Sequence, residues 1–236
     1  MLVRVIDVTL IRAELRPADV AVVIDVLRAT STITQAIAAG YERVLCTDSL
    51  DRAQSLRRAG RVLAGERHCV KPPGFDQGNS PADAAHRRGS ELVLATTNGA
   101  PTIVAAARSA PRVLVACLLN LDSVLTALKR ADPAGATVQI ACSGTDDSVA
   151  LEDVYVAGRL SRELPGPRTD ATLVAELVAR AFETPLEALR ACADARALIA
   201  TGLSGDIEYC ARESELAVVP QVVEASEGVA VLTNGR

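Results

Sequence analysis

One pattern constrains this chain more than any other: short apolar runs that alternate with stretches of helical periodicity. VAVVIDV (20–26), RVLC (43–46), RVLAG (61–65), ELVLAT (91–96), RVLVAC (112–117) and ATVQIAC (136–142) are each too short for a core helix. They are apolar on both faces, as strands buried between two layers of helices must be. The segments between them carry helix starts and stops, such as the Thr/Ser cluster before ITQAIAAG, which closes at Gly40. Strand–helix–strand repetition predicts right-handed βαβ units. The expected fold is therefore α/β, a three-layer α/β/α sandwich with a mostly parallel or mixed sheet. Hydrophobic residues make up 49% of the chain, yet aromatics are only 2% and Trp is absent. A core of Ala, Val, Leu and Ile suits helices packed closely on such a sheet.

The 236 residues suit a single domain spanning 1–236. After Leu160 the pattern turns helical, with Ala-rich sequence over 171–200, so 165–205 reads as a helical segment, either a lobe or a lid. LAVVPQVVE (216–224) and GVAVLT (228–233) are two further strand candidates. A formal net charge of −4 argues against non-specific nucleic-acid binding, which needs a basic footprint. An anionic ligand would have to be met by local arginines, helix N-termini or a bound cation. The six cysteines are scattered without a CxxC pair, and no apolar stretch is long enough for a membrane span. The opening MLVRVIDVTL is broken by Arg4 and Asp7, so no signal peptide is expected. A cytoplasmic protein with reduced thiols follows, with no membrane or nucleic-acid partner and with homo-oligomerisation left open.

Polar residues gather where the apolar runs end. In an open α/β sheet, ligands bind outside the carboxyl ends of the strands. Asp25 sits inside VVIDVL, where an unpaired carboxylate is costly. It is either a partner for Arg28, a helix cap, or a ligand for a hard cation. Arg28, Thr30, Ser31 and Thr32 surround the next helix start, where hydroxyls and free N–H groups can hold an anion or simply cap the helix. Gly65-Glu66-Arg67 ends the third run; Glu66 can bind metal or act as a base, and Arg67 can bind phosphate, unless the two form a solvated pair. In GFDQGNSP (74–81), glycines permit close backbone approach, Asp76 and Asn79 can reach a metal or an anion, and Ser80 precedes a proline suited to a helix start. TTNGA (96–100) places Thr97, Asn98 and Gly99 at another junction, and CSGTDDSVALED (142–153) does the same with Ser143 and Gly144. Glu152 and Asp153 face either the site or solvent.

Several familiar mechanisms lack their motifs, while Asp25 as a nucleophile stays open. The Cys142 loop lacks the arginine of a thiolate–phosphate cradle. Asp25-Val26-Leu27-Arg28 lacks the second aspartate of DxDx. No GxxxxGK[ST] and no strand-linked GxGxxG occurs, and His68 and His86 lack the spacing of a zinc pair.

DVLRATSTITQAIAAG, AGER, GFDQGNSP, TTNGA, CSG…LEDVYVAG and SGDIEYCARESELAVVP, in this order, resemble the 2-phosphosulfolactate phosphatases over nearly the whole chain. The resemblance implies Mg2+-dependent hydrolysis of 2-phospho-3-sulfolactate to 3-sulfolactate and phosphate, a step in coenzyme M biosynthesis. Carried over by motif, it implies Asp25, Arg28, Glu66, Arg67 and Asp76 as catalytic residues. Asp25, Glu66, Asp76 and Asp153 become metal ligands. Thr30, Ser31, Thr32, Asn79, Ser80, Thr97, Asn98, Gly99, Ser143 and Gly144 would contact the substrate. Ala100 stands where the family usually has a threonine, which removes one hydroxyl. A lyase acting on a phosphorylated C3 acid is the rival enzyme; it would alter the carbon skeleton. A non-catalytic anion-binding module is the other rival; it would show no activity for a chelator to abolish.

Overall fold

The computed structural model describes residues 5–130 and 136–235, so Arg4 of the N-terminal run lies outside the described residues. Each apolar run forms a strand: β2 (Val20–Ile24), β3 (Arg43–Thr47), β4 (Arg61–Gly65), β5 (Glu91–Ala95), β6 (Arg112–Ala116) and β7 (Val138–Cys142). A further strand, β1 (Ile6–Thr9), was not anticipated. It pairs with β7 at one sheet edge, with Asp7 and Thr9 buried on it. The C-terminal candidates form β8 (Pro220–Ser226) and β9 (Val229–Asn234), a hairpin turning at Gly228, whose φ of +71° suits glycine.

All nine strands join one mixed sheet in the order β1-β7-β2-β6-β8-β9-β3-β5-β4. The first four are mutually parallel, as are β3, β5 and β4. The antiparallel hairpin sits between these two groups and pairs with β6 and β3. The expected α/β class with a mixed sheet is what the chain adopts.

Helix α1 (Ala29–Ala38) follows β2, and α4 (Gly99–Ser109) follows β5. Both pack into one apolar core fed by the two parallel groups: Ala21 and Val23 from β2, Val44 from β3, Leu92 and Leu94 from β5, and Val115 from β6. The sheet therefore curls around α1 and α4, and the ends of β2 and β5 converge although four strands lie between them. Alternate residues of β2, namely Val20, Val22 and Ile24, face the opposite core, as period-2 strand geometry requires. That core is covered by α5 (Leu121–Arg130), α6 (Leu151–Arg162) and the helices after it. A third, smaller core lies under α2 (Leu50–Ser55), which Ser49 caps by accepting from the Arg52 N–H.

The segment 165–205 holds α7 (Asp170–Arg180), α8 (Pro185–Ala191) and α9 (Ala193–Ala200), followed by α10 (Gly205–Cys210). Its Ala175, Ala179, Leu189 and Leu198, with Ile207 of α10, belong to the same core as β1, β7, β2 and β6. Among the described residues no helix is long and apolar enough to cross a membrane.

Candidate active site

At the converging strand ends lies a cleft of about 200 Å3 with Asp25 at its base. The Asp25 carboxylate is nearly buried; its Oδ1 accepts from the Ala29 N–H at 2.9 Å, at the first turn of α1. The Gly99 N–H at the start of α4 is a second donor. A Cβ on Gly99 would stand 2.5 Å from Asp25 Oδ2, so only glycine lets α4 approach this closely. Among the described residues Asp25 has no ion pair. Burial, opposed by the two N–H donors and reinforced by the Asp194 and Glu66 carboxylates, lifts its pKa to about 7.

Glu66 forms the facing wall. Its Oε1 accepts from the Thr97 N–H at 2.7 Å and its Oε2 from the Cys69 N–H at 3.1 Å, which ties the loop after β5 to the turn after β4. That turn, Arg67 to Val70, is closed by reciprocal backbone bonds, and its central His68 and Cys69 have φ of +50° and +65°. Thr145 to Ser148 repeats the geometry, with Asp146 and Asp147 at +50° and +58°. These are type I′ turns built without glycine, a strained conformation for such residues, and both line the cleft. Asn98 Oδ1 accepts from the Asp146 N–H at 3.4 Å and links one turn to the start of α4.

The third wall comes from α9. Asp194 lines the cleft and accepts from Thr145 Oγ1 at 2.6 Å. Arg28 lines it too, but its partner is not Asp25. Its Nη1 donates to Asp206 Oδ2 at 2.6 Å, both groups nearly buried, and Asp206 Oδ1 accepts from Ser80 Oγ at 2.6 Å. The Leu27–Arg28 peptide is cis. Two buried polar atoms on the lining side chains, Asn79 Oδ1 and Thr97 Oγ1, have no partner among the described residues. Buried polar atoms are seldom left so, and in a cleft they mark contacts for a ligand.

Of the expected site residues, Asp25, Arg28, Glu66, Asn79, Thr97 and Asn98 meet in this cleft. Others do not reach it. Arg67 turns away, donating to the Glu66 and Asp48 carbonyls. Asp76 lies outside, held by Arg57 at 3.2 Å and by the Leu63 N–H at 2.7 Å. The α1 hydroxyls are spent on backbone: Thr30 and Ser31 donate to the Asp25 and Val26 carbonyls, and Thr32 to that of Asn79. The helix begins at Ala29, one turn earlier than a hydroxyl cradle requires. Ser80 is committed to Asp206. Gly99 acts through its backbone. Asp153 is buried under the cleft, and both its oxygens are taken, by the Val26 N–H at 2.9 Å and by the Ser143 and Gly144 N–H groups at 3.2 Å. It clamps the ends of β2 and β7 together. Burial, with Asp25 and Glu152 nearby, pushes its pKa well up against the opposing Val26 N–H. Thiol chemistry has no support, because burial raises Cys69 and Cys142 above the ordinary thiol range.

The reading from sequence missed Asp194, Asp206, Thr145 and Asp146. The SGDIEYC motif holds Asp206, and the DD pair holds Asp146. Asp194 looks like any acid in the first turn of a helix.

The cleft's donors are carboxylate, amide and hydroxyl oxygens, a set suited to a hard cation. Among the described residues no three His, Cys, Asp or Glu side chains form a ready-made metal cage. Mg2+ commonly sits on one or two carboxylates and completes its shell with water and substrate phosphate, so Asp25 and Glu66 fit it.

Fold and cleft together define an α/β protein with a small acidic ligand site at the carboxyl ends of its strands. The family model described as 2-phosphosulpholactate phosphatase matches residues 6–225. The chain belongs to this family, and with it to the phosphoric monoester hydrolases. A probable 2-phosphosulfolactate phosphatase of Thermus thermophilus is 40% identical over 208 residues, covering 86% of this chain and 87% of the relative. One from Pseudothermotoga lettingae is 35% identical, covering 93% and 96%. One from Carboxydothermus hydrogenoformans is 34% identical, covering 98% of each.

Proposed function

We propose that the protein hydrolyses 2-phospho-3-sulfolactate, or a small anionic phosphate ester close to it, to 3-sulfolactate and phosphate in a Mg2+-dependent reaction. Family membership supports the reaction. One observation carries the metal requirement: Asp25, Glu66 and Asp194 face a single cleft, and none of them is in an ion pair among the described residues. A phosphate ester entering it would meet like charge in a poorly screened site. A divalent cation on Asp25 and Glu66 reverses that sign, and when bound it draws charge from the phosphate oxygens and orients the ester. The chain's own groups do the rest. Arg28, locked by Asp206, presents a guanidinium to the phosphate. Thr97 Oγ1 donates to a phosphate oxygen, and Asn79 Oδ1 accepts from a hydroxyl or water. Asp194, outside the metal pair and oriented by Thr145, takes a proton from the attacking water and returns it to the alkoxide oxygen released as the ester P–O bond breaks. Catalysis is then mostly positioning and charge stabilisation.

Phosphate release from 2-phospho-3-sulfolactate, followed with Mg2+, with EDTA, and after Mg2+ is restored, tests the reading. Turnover lost in EDTA and regained with Mg2+ is expected. Full turnover in EDTA would remove the metal, and no phosphate release with Mg2+ would remove the substrate.

A further inference from the structure

Beyond Arg28 the cleft adjoins a second recess, which it meets at Arg28, Cys69 and Asn79. Its character is opposite. Lys71 and Arg88 line it, and neither side chain is in an ion pair or hydrogen bond among the described residues. Asp76, also on its wall, is neutralised by Arg57, which leaves Asp83 as the unpaired acid there. Gln77 lines the recess with only 3% of its surface exposed, and neither Oε1 nor Nε2 has a partner among the described residues. An amide that is buried and unsatisfied at both atoms costs stability unless something else completes it.

Resting on the phosphatase reading above, we infer that this recess seats the substrate's sulfonate, one of the two acid groups it carries besides the phosphate. The phosphate lies in the acidic cleft with the cation, and the sulfonate points past Arg28 toward Lys71, Gln77 and Arg88. The two recesses then sort the two ends of one small molecule by charge. The metal-dependent end takes the ester, and the cationic end takes a group that never needs to ionise or react. Lys71, Arg88 and the Gln77 Nε2 together offer more donors than a planar carboxylate can use, which suits the three oxygens of a sulfonate. Arg67, the sequence candidate for such a role, is committed to backbone carbonyls and is replaced here by Lys71 and Arg88.

The test compares two esters, 2-phospho-3-sulfolactate and 2-phospholactate, which lacks the sulfonate, on the wild type, on Lys71→Ala/Arg88→Ala and on Gln77→Leu. The double variant is expected to lower the kcat/KM ratio of the sulfonated over the unsulfonated ester by about tenfold. Gln77→Leu removes no protein hydrogen bond, so it folds at least as well as the wild type, and it lowers the same ratio. An unchanged ratio in both variants overturns the inference. If the wild type releases phosphate from neither ester, the phosphatase reading has failed by itself, and the subsite is decided by calorimetry. Weaker binding of 3-sulfolactate, with lactate as control, to the double variant than to the wild type would uphold it, and equal binding would overturn it.

Discussion

The carboxylate at the end of β2 and the carboxylate of the loop leading into α3 (Pro81–Ala84) are held in opposite ways. Asp25 is buried, meets only N–H donors and other acids, and has its pKa lifted to about 7. Asp76 is partly exposed and neutralised. Arg57 pairs with it, and its Oδ2 accepts the Leu63 N–H, which on the edge strand β4 would otherwise lack a partner. Asp206 carries the second arrangement into the interior, matching Arg28 at 2.6 Å. Asp76 and Asp206, each with a cation of its own, hold the fold, as Asp153 does through backbone N–H groups alone. Asp25, with no cation and facing the cleft, is kept at a cost in stability and is available to an external cation.

Removing the Asp25 charge should break this contrast most sharply. Asp25→Asn is expected to lower kcat/KM by about a thousandfold, the scale of losing a principal charge-stabilising group. It should also stabilise the fold. The unfolded carboxyl ionises near its usual value and the folded one near 7, so the wild type loses stability as pH rises through that window. The gain from Asp25→Asn therefore grows with pH, to about 2 kcal/mol at about pH 8, and shrinks by about pH 5. Thermal melts at both values read this. A variant less stable at the higher pH, or one that still turns over normally with Mg2+, would show that Asp25 is a structural group.

Asp206→Ala is the mirror experiment. It strands the buried Arg28 guanidinium and frees Ser80 Oγ, at an expected cost of about 3 kcal/mol in urea unfolding. A loss under about 0.5 kcal/mol would mean that Arg28 finds water instead and is not fixed by its partner.

This division between paired and unpaired acids could be read from the sequence only in part. The α/β class was legible because strands covered on both faces must be continuous apolar runs, as VAVVIDV and RVLVAC are. IDVT escaped because its Asp7 and Thr9 break such a run, and no local signal could place the C-terminal hairpin between β6 and β3. Asp25, Glu66, Asn79 and Thr97 were legible as polar residues at strand and loop ends. Whether an acid is neutralised was not. Arg57 lies 19 residues from Asp76, and Asp206 lies 178 from Arg28, so the pairing is a tertiary outcome. The hydroxyls of Thr30, Ser31 and Thr32 suggested an anion cradle for the same reason: the start of α1 at Ala29, which turns them onto the backbone, is set by packing.

Glu66 tests the contrast at finer scale, since its carboxylate both faces the cleft and accepts two backbone N–H groups. Glu66→Gln keeps the shape but removes the charge and turns an amide NH2 toward one of those donors. The Mg2+ concentration for half-maximal activity should rise by about tenfold, with a smaller change in kcat. An unchanged Mg2+ titration would assign Glu66 to the loop scaffold alone.

The smallest effect is expected at Asp76, and it bears most directly on the comparison. Asp76→Asn keeps an oxygen for the Leu63 N–H and loses only the ion pair with Arg57, a partly exposed contact that Gly74 shares by accepting from Arg57 Nη2. Stability should fall by about 0.5 kcal/mol, and kcat/KM should stay within about twofold, because an exposed pair contributes little and the group lies outside the cleft. The Mg2+ titration separates the outcomes that activity alone would confuse. If Asp76→Asn shifts that titration as Glu66→Gln does, the loop carboxylate trades Arg57 for the metal when the ion binds, and a carboxylate's partner in the free protein no longer predicts its role. If the titration holds while Asp25→Asn and Glu66→Gln move it, possession of a cation of its own is what separates Asp76 from the two acids that face the cleft.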